Sequence, residues 1–311
     1  MKTHIRHFKH LESHIYPGLS ELWNISHPPS EFFAEGTEPA FQLLEKLPER
    51  GLAIVGTRNP QPRSVQFATQ KILELQGSGL IILSGLARGI DAAAHSAALR
   101  ASLPTIAIIG AGLDLDYPRE NAQLRKNILA SGGLIISEFP VGTQAYGSNF
   151  LRRNRLIAGW SKATWVVEAA NPSGALSTAN WAREQNRTCL ATPCFPQDSS
   201  LTGNQMLLDR DHALAFWGIH SLGAVWLDLA TFKTPKASFP LKPMSQRLSP
   251  EEKALSMEVG RLMHLHGGAP VQDLFTWASR QGWNPQIFFT TLRSLIKKNH
   301  ATDRNGIFTL A

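Results

Sequence analysis

The sequence predicts an α/β fold: a Rossmann-like, doubly wound, mostly parallel sheet followed by a small C-terminal winged-helix domain. Three observations predict it. Six short runs are apolar throughout and end in small or polar residues. Segments with helical apolar spacing alternate with them. Beyond a stretch rich in proline and lysine, three more helical patterns precede a hairpin signal at Asn305-Gly306. Strands buried on both faces read as continuous apolar runs, and strand–helix alternation implies parallel pairing with right-handed crossovers.

The elements follow in order. Residues 1–50 read as an irregular N-terminal extension containing Pro28-Pro29. Residues 51–230 hold the sheet. Its runs are Leu52–Val55, Leu80–Leu83, Thr105–Ile109, Leu134–Ile136, Thr164–Val167 and Thr188–Ala191. Helical spacing marks Val65–Gln76, Ile90–Leu99, Asn121–Leu129 and Leu176–Glu184, and Leu156–Gly159 belongs to one more helix. Residues 231–248 read as a linker. Residues 249–311 read as a winged helix, with helices over Pro250–Leu265, Val271–Gln281 and Pro285–Lys298 and a hairpin over His300–Leu310.

Composition narrows the function. The 311 residues are 43% hydrophobic, enough for a sizeable core, and the formal charge of +7 favours an acidic partner such as nucleic acid. No apolar run reaches the ~18 residues of a membrane span, and the basic N-terminus lacks the apolar stretch of a signal peptide. Two cysteines, Cys189 and Cys194, form no zinc pattern and fit a reducing compartment. His4, His7, His10 and His14 fall at near-helical spacing without a carboxylate–histidine motif, so no metal is expected. No G-x-G-x-x-G fingerprint and no P-loop occur, so no nucleotide cofactor is expected.

Three segments carry candidate chemistry. In Phe150–Gly159, FLRRNRLIAG, the arginines Arg152, Arg153 and Arg155 crowd around Asn154, and no acid occurs between Glu138 and Glu168. Guanidinium forks grip phosphate oxygens in pairs, and a helix start adds N–H donors. Ser84–His95, SGLARGIDAAAH, offers Gly85 and Gly89 for a tight turn and Arg88 for an anion. Asp91 and His95, four apart, read either as an acid–base pair or as a tie between helix turns. In Asn171–Trp181, NPSGALSTANW, Ser173 and Gly174 precede a helix start suited to phosphate. Some nucleotide hydrolases of similar fold place a glutamate in this loop, where this chain has alanine and asparagine.

Together SGLARGIDAAAH, IIGAGLDLDYPREN, ISEFPVG, FLRRNRLIAG and VVEAANPSGALSTANWAREQNR resemble, in order and spacing, the DNA-processing protein A family, over about Tyr16 to Leu214. The resemblance implies a non-enzymatic, cytoplasmic homodimer. Such a protein binds incoming single-stranded DNA, protects it, and loads the RecA recombinase during natural transformation. The resemblance assigns DNA binding to Gly56, Thr57 and Arg58 in the turn after the first strand, which Gly85 and Arg88 join on the reading of their own segment. It further assigns Phe150, Arg153, Asn154 and Arg155 with Arg152 as a helper, and Ser173, Gly174 and Thr178. Phe150 reads as a base-stacking ring or as core packing. The family's N-terminal helical domain is largely absent, Leu151 replaces a usual proline, and Pro193-Cys194 replaces proline-glycine. The competing class is a nucleotide-processing enzyme, similar to a nucleoside-monophosphate phosphoribohydrolase, on the same scaffold.

Overall fold

The computed structural model describes residues 3–10, 19–194, 198–230, 232, 249–266, 269–297, 301–304 and 307–310. Apart from Phe232, the segment read as a linker lies outside these residues, as do His14 and the Asn305-Gly306 turn. The chain divides into two compact units, Met1–Lys236 and Ala237–Ala311.

The first unit opens with β1 (His4–Lys9), α1 (Ser20–Trp23), β2 (Glu31–Gly36) and α2 (Leu43–Arg50). The alternating core follows as β3 (Gly51–Val55), α3 (Pro62–Leu73), β4 (Ile81–Ser84), α4 (Ile90–Arg100), β5 (Thr105–Ile109), α5 (Ala122–Ala130) and β6 (Leu134–Ser137). Then come α6 (Gly147–Gly159), β7 (Ala163–Val166), α7 (Gly174–Glu184), β8 (Thr188–Ala191), α8 (Thr202–Asp209), β9 (Leu214–Ala215) and α9 (Leu227–Ala230). Strand order in the sheet is β1-β2-β6-β5-β4-β3-β7-β8-β9. The strands from β3 to β9 run parallel, and β2 pairs antiparallel with β6, Phe33 opposite Ser137.

All five residues of β3 are buried, as doubly covered strands require. Alternate side chains enter opposite layers: Ala53 and Val55 join the layer of Phe32, Leu44 and Trp160, while Leu52 and Ile54 join that of Ile72, Ala94 and Trp165.

The sequence predicts six strands, and the sheet has nine. Two of the extra three come from the segment expected to be irregular. In β2, EFFAEG, burial strictly alternates, with Phe32 and Ala34 fully buried. β1 places only Phe8 in the core, so its polar residues conceal the alternation. The histidines of β1 follow a strand, not the helical spacing read for them. His7 Nε2 lies 2.8 Å from Glu31 Oε2, and His4 Nε2 lies 3.2 Å from Glu38 Oε2. The third, β9, is two residues long.

The second unit comprises α10 (Pro250–His266), β10 (Ala269–Pro270), α11 (Val271–Arg280), α12 (Pro285–Lys297), β11 (Ala301–Arg304) and β12 (Ile307–Leu310). Its core gathers Leu255, Val259, Leu274, Phe288, Leu292 and Leu295, and its sheet runs β10-β12-β11.

Candidate nucleic-acid interface

Strand order fixes where a ligand can enter. From β3 the chain winds outward through β4 and β5 to β6, then returns to place β7 on the other side of β3. The connections leaving β3 and β7 therefore diverge, and a crevice opens beyond their carboxyl ends. Gly56, Thr57 and Arg58 follow β3 directly. The Thr57 N–H donates to the Glu168 carbonyl at 2.8 Å, and the Thr57 carbonyl accepts from the Ile90 N–H at 3.2 Å. Gly89 packs against this turn with φ +79°, and a Cβ there would run into the Thr57 carbonyl oxygen.

The crevice is a cleft of about 470 Å³ lined by Arg58, Arg88, Tyr117, Arg119, Phe150 and Arg153, among others. A second cleft of about 560 Å³ shares Arg58, Phe150 and Arg153 and adds Gly56, Thr57, Asn154, Ser173, Gly174 and Thr178. Most of the predicted site residues thus meet here. Arg58, Arg88 and Arg119 are exposed. Phe150 is half-buried and stacks on Tyr117, with centroids 5.4 Å apart and planes at 19°. The Arg58 guanidinium sits 5.3 Å from the Phe150 ring centre. Phe150 therefore lines the opening and is not a core residue, which favours the stacking alternative. Arg88 lies 3.9 Å from Glu120, a solvent-exposed pair too weak to neutralise it.

Arg153 lies beneath the cleft, 4% exposed. Its Nη1 donates to the carbonyls of Gly85 (2.9 Å) and Ile108, and its Nε to Asn154 Oδ1 at 3.3 Å. A Cβ on Gly85 would meet this guanidinium at 2.5 Å, so Gly85 serves the arginine's seat. Burial lowers the Arg153 pKa to about 10, Asp91 opposes that shift and Arg58 adds to it, so the group stays charged at neutral pH. Asp91 accepts from the amides of Gly85 (3.1 Å) and Ala87 (3.3 Å), and burial raises its pKa against the pull of Arg153. His95 is fully buried, and desolvation followed by the charge of Arg153 lowers its pKa to about 3. The Thr105 hydroxyl donates to the Ile82 carbonyl, so His95 Nδ1 is the donor in its 2.7 Å contact with Thr105 Oγ1. Asp91 thus holds the loop after β4 and His95 ties α4 to β5; each bonds a partner outside the helix, so the tie between helix turns read for this pair does not form.

Arg155 points elsewhere. At 5% exposure it forms a two-pronged pair with Glu138 (2.6 and 2.7 Å), and its Nε donates to the His27 carbonyl at 2.7 Å. It does not line the cleft of Arg58 and Arg88, so the arginines expected to share one phosphate path are divided between two flanks of α6. Arg152 is 61% exposed on the Arg155 side, 3.3 Å from Glu138. Asn154 Nδ2 donates to the Gly174 carbonyl at 3.3 Å, joining α6 to the start of α7. Ser173, in extended conformation, precedes α7 without a side-chain cap, and its buried Oγ has no hydrogen-bond partner. Gly174 borders open space and Thr178 is buried behind it. The uncapped first turn leaves backbone N–H groups at the cleft wall.

Tyr117 and Arg119 were not among the predicted site residues. They sit in the connection between β5 and α5, where no helical period marks them and the acids Asp114, Asp116 and Glu120 outnumber Arg119. The aromatic–proline–arginine order Tyr117-Pro118-Arg119 was the available signal.

Comparison with known proteins agrees with this architecture. The family model described as DNA recombination-mediator protein A matches residues 7–223. A protein Smf from Synechocystis is 41% identical over 218 residues, covering 68% of this chain and 52% of the relative. The DNA processing protein DprA of Bacillus subtilis is 37% identical over 201 residues, covering 65% of each chain. The chain thus spans about half to two thirds of the length of these curated relatives. The crystal structure of DprA from Streptococcus pneumoniae superposes with a TM-score of 0.63 at 32% identity, covering 74% of this chain and 75% of that one. DNA processing protein A from Helicobacter pylori, described for its single-stranded DNA binding mode, gives 0.61 at 26% identity over 72% of this chain and 96% of that one. The family-model match, the sequence identities and the superpositions agree, and the chain belongs to the DNA recombination-mediator protein A family.

Proposed function

We propose that this chain is a recombination mediator that binds and protects single-stranded DNA and loads the RecA recombinase onto it during natural transformation, acting in the cytoplasm as a homodimer. One observation carries the DNA-binding reading: exposed Arg58, Arg88 and Arg119 ring the stack of half-buried Phe150 on exposed Tyr117 at the switch point of the sheet. Cations beside an aromatic platform hold a strand of any sequence, because every base has a stacking face and every linkage a phosphate. In this reading phosphates meet Arg58 and Arg88, a base extends the Phe150–Tyr117 stack, and the amides at the start of α7 donate to a further phosphate. Arg153 supplies fixed positive charge from below. Arg155 holds α6 in place.

The relative from Helicobacter pylori, described for its single-stranded DNA binding, supports the same reading. The rival hydrolase reading needs a carboxylate beside the Ser173-Gly174 loop. Of the residues lining that cleft only Asp91 is acidic, and two backbone amides engage it. The second unit, three helices with a three-stranded sheet, we read as a winged helix that contacts a protein partner or DNA.

Salt-titrated anisotropy with oligo-dT tests the binding mode. Arg58→Ala should weaken binding and lower the slope of log affinity against log salt by about 0.7, one phosphate contact on a single strand. Parent-like affinity and slope would remove Arg58 from the interface. Loading of the recombinase onto coated strands tests the mediator role separately.

A further inference from the structure

We infer a second foothold for the single strand on the far flank of α6, between α6 and α7, where Trp181 offers a stacking face and Arg152 a phosphate contact. The inference rests on the single-strand reading of the first cleft and extends its path.

The two flanks of α6 carry different residues. Phe150, Arg153 and Asn154 face the clefts described above. On the other side an open groove of about 590 Å³ is walled by His27, Leu151, Arg152, Arg155, Ser177 and Trp181. Leu151, 53% exposed, lines both this groove and the second cleft. The two surfaces are therefore continuous over the first turns of α6.

The groove has the chemistry of a polyanion. No carboxylate lines it. The nearby Glu138 is shared by two guanidiniums, Arg155 at 2.6 and 2.7 Å and Arg152 at 3.3 Å. One carboxylate between two cations leaves a net positive charge, and the Arg152 side chain carries it to the surface. The half-buried Trp181 is braced edge-on by the His27 ring, with centroids 5.8 Å apart and planes at 78°. An indole beside a guanidinium suits base stacking with a neighbouring phosphate.

Shape selects the occupant. A path from Phe150 over Leu151 to Trp181 bends around one helix, about 10 Å thick. Duplex DNA stays straight over ~150 base pairs, so it cannot follow this path, whereas a single strand can.

The test is a length series of oligo-dT on the full chain, read by anisotropy. The parent should gain affinity with length until both footholds are filled. Trp181→Leu should leave the shortest bound strands unaffected. It should weaken the longest by roughly 5- to 100-fold, the loss of one stacked base, and move the plateau to shorter lengths. Arg152→Ser, whose side chain lies outside the core, should reduce the length-dependent gain while the melting temperature holds. Trp181→Phe should retain most of the gain if the contact is stacking. Parent-like length dependence in both Trp181→Leu and Arg152→Ser, with Arg58→Ala still weakened, overturns the second foothold and leaves the first cleft standing. Parent-like binding of every length by Arg58→Ala overturns the first cleft, and this extension with it.

Discussion

Arg153 shows how far a side chain's neighbours can redirect the role its charge suggests. Its guanidinium bonds the carbonyls of Gly85 and Ile108 under the cleft and offsets Asp91. Arg153→Ala should leave two carbonyls without a donor and a buried carboxylate without its cation. Each buried acceptor left without a partner costs about 1–3 kcal/mol, so calorimetry should show a large fall in melting temperature. Arg58→Ala should leave melting unchanged, which separates the two arginines. His95 sets a pH limit. Its pKa is near 3 in the fold against an ordinary 6.5, so its contribution is complete above pH 6.5 and is lost as pH falls toward 3. That loss amounts to about 1.4 kcal/mol per pH unit within the window. Asp91 works in the opposite sense, its raised pKa favouring the fold as pH falls. Urea midpoints at pH 7, 6, 5 and 4 should therefore fall less steeply for His95→Gln than for the parent. The arginine run was legible as charge, but its division was not: which flank of a helix a residue occupies depends on exact helix phase, and α6 begins at Gly147, well before the apolar Leu156 that first marks it.

At the scale of elements, the parallel strands were legible because burial on both faces leaves a continuous apolar signature, and β5 and β8 match their predicted bounds. β1 and β2 were not, because a strand covered on one side mixes polar and apolar residues over a length too short to stand out. Their packing is nonetheless substantial. Phe32 is fully buried, edge-to-face with Trp160 at 5.0 Å and stacked with Phe8 at 4.7 Å. Phe32→Ala should cost about 3–5 kcal/mol, measured by urea denaturation. A neutral result would mean that the β1–β2 pair docks without contributing to the core.

For the whole molecule, two units with separate cores should behave separately. A chain ending at Lys236 should fold and keep the salt-dependent affinity for oligo-dT. Loss of binding in that truncated chain would assign part of the DNA contact to the second unit. The net charge of +7 pointed to a polyanionic partner without a location, and the strand order puts the cleft of Arg58, Arg88 and Arg119 at the switch point of the sheet.

The bonds on either side of α6 have a thermodynamic consequence. Arg153 fastens the helix to the ends of β4 and β5, Arg155 fastens it to Glu138 and the His27 carbonyl, and Asn154 fastens it to α7. A surface held on three sides has little conformational freedom left to surrender when a ligand arrives. In the proposed binding mode the entropy lost on association falls on the single strand, which must fix its linkages and unstack its bases to follow the helix. Such a surface would discriminate by strand stiffness, favouring loosely stacked pyrimidine tracts over self-stacked purine tracts without reading a single base edge.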